Sequence, residues 1–105
     1  MPDTLSNLDS KAFAEQLHTK FRASLTGGET LELELAEVVE HPTAPKLECF
    51  SLFFRGPAST LLHQGTRKLE HSHLGVMELF LTPIAGDPED ATYEVVFNRY
   101  RKTNP

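Results

Sequence analysis

The pattern with the most chemistry in this sequence is His71-Ser72-His73, followed five residues later by Glu78. Two imidazoles and a carboxylate are a ligand set for iron, manganese or zinc, and alternation along a strand sends His71 and His73 to one face. The competing reading is two surface histidines at a hairpin end, because Leu74-Gly75 directly after the pair reads as a turn. Other chemistry is thinner. Cys49 is the single cysteine, flanked by Glu48 and Phe50, and reads as a small apolar residue rather than a nucleophile. Ser51 lacks the flanking glycines of a nucleophile elbow, and neither phosphate-cradling glycine pattern is present. Glu32, Glu34, Glu37 and Glu40 largely alternate with leucines and read as the solvated side of a strand.

The elements that must carry these residues follow from a change of period. Asp9 or Ser10 is a plausible N-cap, and Ala12, Phe13 and Leu17 share a helical face, which predicts one short helix over residues 9–20. From Phe21 the period becomes 2. KFRASL, TLELELAEVVE, ECFSLFFRG, GTRKLEHS, GVMELFLTPI and TYEVVFNRY read as strands, with a bulge at Ala36, prolines ending the second strand, and Gly56-Pro57 breaking the third. The expected fold is α+β, mainly β: about six antiparallel strands forming a small barrel or sandwich, plus one N-terminal helix. The division is a single domain over 1–105, with 1–8 flexible, 9–20 helical, 21–100 the β-rich core and 101–105 a polar tail.

Alternation also sends Phe53, Phe80 and Val96 to the face opposite their strands' main core. Either the helix covers them through Phe13 and Leu17, or they form a partner interface. Arg55, at the end of FSLFFR, is the fourth partner-contact candidate, since a guanidinium there offers a bidentate donor to a carboxylate; its alternative is a donor that locks the turn.

Composition narrows the function classes. The 105 residues fit one domain, and 10 Lys plus Arg against 15 Asp plus Glu leave a net charge of −5, which disfavours nucleic acid and anionic membranes as partners. Arg99, Arg101 and Lys102 beside Tyr93, Phe97 and Tyr100 therefore read as a solvated C-terminal end. The opening MPDTLSNLDS carries no basic or apolar signal segment, so a cytoplasmic location is expected.

Two resemblances bear on function. Gly65, His71, His73 and Glu78 have nearly the spacing of the first metal motif of cupins, with Gly86 one residue late. That family's second motif needs a further histidine, and none follows His73. The segments FSLFFRGP, LLHQGTRKLEHSHLGVMELFLTPI and YEVVFNR together resemble a small bacterial domain family of unknown function, matched at Gln64, Gly65, His71, Leu74 and Gly75. That resemblance implies a short β-rich protein and brings no catalytic residue. The expectation is a non-enzymatic accessory or structural protein without cofactor, acting through an unidentified protein partner or as a homodimer. The alternative is a small cupin-like metal- or ligand-binding barrel using His71, His73 and Glu78.

Overall fold

Strict alternation gives each strand one apolar side, and a six-stranded sheet can hide all of those sides at once by closing on itself. That is the arrangement seen in a computed structural model, which describes residues 8–25, 27–86 and 88–100. The expected flexible start before Leu8 and the polar tail after Tyr100 lie outside the described residues. The elements are α1 (Ser10–Ala14), β1 (Lys20–Ser24), β2 (Thr30–Glu40), β3 (Leu47–Pro57), β4 (Gly65–His71), β5 (Gly75–Gly86) and β6 (Asp90–Tyr100). Around the closed barrel the order is β1-β2-β3-β6-β5-β4, and every neighbouring pair is antiparallel. Two three-stranded runs are therefore joined edge to edge, at β3 with β6 and at β1 with β4.

Both ends of the barrel are plugged. Phe13 of α1 enters at one end against Phe50 and Phe97, with ring centroids 6.1 and 5.7 Å away. At the other end the β3–β4 connection crosses the mouth, where buried Leu62 donates its backbone N–H to the Tyr93 hydroxyl at 2.9 Å. Between them Phe21, Leu35, Phe54, Leu69, Leu81 and Tyr93 fill the interior with fully buried side chains. The interior is a packed core, as expected for a small barrel.

Three details differ from the sequence reading. The α-helix is five residues long rather than spanning 9–20. Asp9 does cap it, accepting from the Ala12 N–H at 2.8 Å, but the chain leaves the helix so that the His18 N–H can donate to the Leu35 carbonyl at 2.7 Å, with His18 at φ 68°. Gly56-Pro57 does not break the third strand; Gly56 pairs with Ala91 and Pro57 with Asp90. A Cβ on Gly56 would stand 2.6 Å from Leu33 Cδ2, so the glycine serves close packing and not a turn. The helix does not cover Phe53, Phe80 and Val96, because Phe13 is spent inside the barrel. The bulge is where expected, between Leu35 and Glu37.

Candidate functional site

His71 ends β4 with its side chain inside the barrel, 6% exposed and 4.3 Å from the Phe21 ring centroid. Its Nδ1 accepts from the backbone N–H of His73 at 3.0 Å and of Leu74 at 3.2 Å. A nitrogen that accepts carries no proton, so the imidazole is the Nε2–H tautomer, and Nε2 donates to Thr19 Oγ1 at 2.8 Å. Thr19 passes its own proton to the Gln16 carbonyl at 2.6 Å. Both ring nitrogens are thereby consumed in tying the α1–β1 connection to the β4–β5 turn. Burial and the neighbouring His73 hold the His71 pKa below its ordinary 6.5.

That geometry does not assemble the three candidate metal ligands: the His71 and His73 rings lie 5.9 Å apart, but both His71 nitrogens are occupied and Glu78 faces away. His73 lies exposed in the turn after His71, and Glu78 stands across from Lys68 on the outside of the barrel, whereas His71 points in. Strand parity is the cause: two residues that differ in facing across one hairpin cannot converge on one ion. Among the described residues no group of three or more His, Cys, Asp or Glu is placed to hold a metal.

The four partner-contact candidates, by contrast, fall together. Phe53 and Arg55 lie on the outside of β3, Val96 on the outside of β6 and Phe80 on the outside of β5, and β3, β6 and β5 are consecutive around the barrel. Phe80 is 50% exposed and Val96 58%, with Phe53 half-buried and Ile84 exposed farther along β5. Arg55 sits within β3, two residues before its end, opposite Glu34 and Thr92, and makes no hydrogen bond or ion pair among the described residues, so it is not a turn-locking donor.

The same face holds a residue the sequence did not single out. Glu94 is paired in register with Phe53 on one side and Thr82 on the other, two residues from Val96. It is half-buried and has no hydrogen-bond or ion-pair partner among the described residues. Sequence alone marks it as one outward residue of TYEVVFNRY; only the strand order puts it in the middle of the apolar cluster.

The remaining candidates have structural roles. Cys49 is a free, half-buried thiol on β3. Ser51, fully buried on the outer side of the same strand, is 2.8 Å from His41 Nε2. Of the acidic row, Glu34 takes contacts from His18 and Lys20, and Glu40 accepts from Ser10 Oγ. Arg99 pairs with Glu48 at 2.5 Å, donates to the Leu8 carbonyl and lies over the Phe97 and Phe50 rings, which fastens the start of the described chain to the barrel end. No helix among the described residues is long and apolar enough to cross a membrane.

Residues 8–97 match a family model described as a domain of unknown function, DUF6916. No curated protein and no solved structure matches the chain.

Proposed function

We propose that this chain, which belongs to the DUF6916 family of domains of unknown function, is a non-enzymatic accessory or structural protein that binds another protein through the outer face of β3, β6 and β5. The observation that carries this reading is the grouping of Phe53, Phe80 and Val96 on one uncovered face, with the two exposed members losing half or more of their possible burial. Apolar side chains scattered singly over a surface need no explanation, but three outward on adjacent strands, with Ile84 farther along β5, form a grouping of the kind that marks contact sites. Arg55 at its border, without a hydrogen-bond or ion-pair partner among the described residues, supplies a guanidinium for orientation. The alternative of a ligand-binding barrel has less to stand on, because the interior is occupied by side chains and His71 spends both nitrogens on the fold.

The test is site-specific photo-crosslinking in the cells that produce the protein, with the crosslinker at Val96 and, as a control, at exposed Glu32 on β2. Adducts formed with one protein at Val96 and absent at Glu32 support the reading. Equal labelling at both positions, or none at either, overturns it.

A further inference from the structure

Glu94 is the odd residue of the proposed contact face, and it specifies what should cover that face. A half-buried carboxylate already lies between Phe53 and Thr82, and closing any surface over Phe53, Phe80 and Val96 removes its remaining water. Stripping solvent from an unpaired charge is unfavourable, so a covering surface must bring a cation or forfeit much of its apolar gain. The surrounding acids reinforce this demand. Glu37 stands opposite Phe53 on β2 and Glu78 is two residues from Phe80 on β5, and neither has a hydrogen-bond or ion-pair partner among the described residues. Against these three carboxylates the face sets Arg55, with Lys68 across from Glu78 on β4.

A second copy of the chain is a poor match for this pattern. Each such face carries the carboxylates of Glu94, Glu37 and Glu78 against the single guanidinium of Arg55, so two of them packed together leave carboxylates without a cation, and the whole chain repels its copy with a net charge of −5. Resting on the reading of this face as a contact surface, we propose that its partner is a different protein that seats a lysine or arginine on Glu94 within an apolar surface covering Phe53, Phe80 and Val96. The apolar residues supply the affinity and the cation supplies the register.

The probe is a synthetic helical peptide of about 18 residues with leucine on one face and lysine on the other, set against versions with glutamate for lysine and with serine for leucine. It is titrated into the intact protein while amide chemical shifts are followed. The expected result is binding of the leucine–lysine peptide alone, with shifts on β3, β6 and β5, and a loss of about tenfold in affinity in both Glu94→Gln and Val96→Ser. Circular dichroism and melting of both variants should match the parent, since both positions face outward. Shifts centred on the groove lined by Lys20, Arg22, Glu32 and Glu70, unchanged affinity in Glu94→Gln, or no binding overturns the proposal. Sedimentation of the free protein as a dimer that Val96→Ser dissociates overturns it in favour of a second copy. Crosslinks at Val96 to a protein whose contact surface is acidic leave the contact reading standing and remove this one.

Discussion

Thr19 Oγ1 and His71 Nε2 lie 2.8 Å apart across a sequence separation of 52 residues, and this one hydrogen bond joins the connection after α1 to the end of β4. Nε2 is the donor in it, because two backbone N–H groups already point at Nδ1 and leave the neutral ring's proton on Nε2. A second proton on the ring would face those donors inside the barrel.

A pH dependence of stability follows. Burial and His73 lower the folded-state pKa of His71, so the unfolded chain binds more protons than the folded one over the range between the folded value and about 6.5. The stabilisation by neutral His71 is therefore complete above about pH 6.5 and is lost as pH falls below it. Urea unfolding between pH 5 and 8 should show the midpoint dropping on the acid side, and His71→Gln should lower the midpoint at pH 8 while flattening its acid-side slope. An unchanged slope in that variant would show that other groups carry the effect.

Glu34 acts in the same direction at lower pH. The hydrogen bond from His18, aided by Lys20, holds its carboxyl below the usual 4.5 despite some opposing desolvation. Its contribution is present above about pH 4.5 and disappears as acid titrates it, so Glu34→Gln should reduce the pH sensitivity of unfolding below that point, read from acid titrations of parent and variant.

Most of the architecture was legible because the strands obey one rule. Leu33 and Leu35, Phe50, Leu52 and Phe54, and Met77, Leu79 and Leu81 face in by parity alone, and the slip at Ala36 announced the bulge. What was not legible depends on contacts between distant strands. Alternation placed His71 and His73 together, but the strand ends between them, leaving one in the core and the other in the turn. Gly56 looked like punctuation because nothing local reveals that Leu33 crosses over it. Glu94 gained its meaning only from β6 lying between β3 and β5.

Phe13 tests the plug at one barrel end. It is fully buried and meets both Phe50 and Phe97, so Phe13→Ala should cost about 3–5 kcal/mol in denaturant unfolding, against a total of roughly 5–15 kcal/mol for a domain of this kind. Phe13→Leu should recover most of the loss. A cost under about 1 kcal/mol would mean that α1 contributes little to the core.

Gly56 tests the close approach at the opposite end of β3. An added methyl meets Leu33 Cδ2 at 2.6 Å in a part of the barrel already filled by Tyr93, whose ring stands 3.8 Å away. The leucine terminus has some freedom to move, so Gly56→Ala should cost about 1–3 kcal/mol by overpacking and not abolish folding. Shortening the neighbour should offset it: the Gly56→Ala, Leu33→Val double variant is expected to be more stable than the sum of its single losses, because the two positions share the same space. Strict additivity of the two losses in urea unfolding would show that Leu33 is not what the methyl meets.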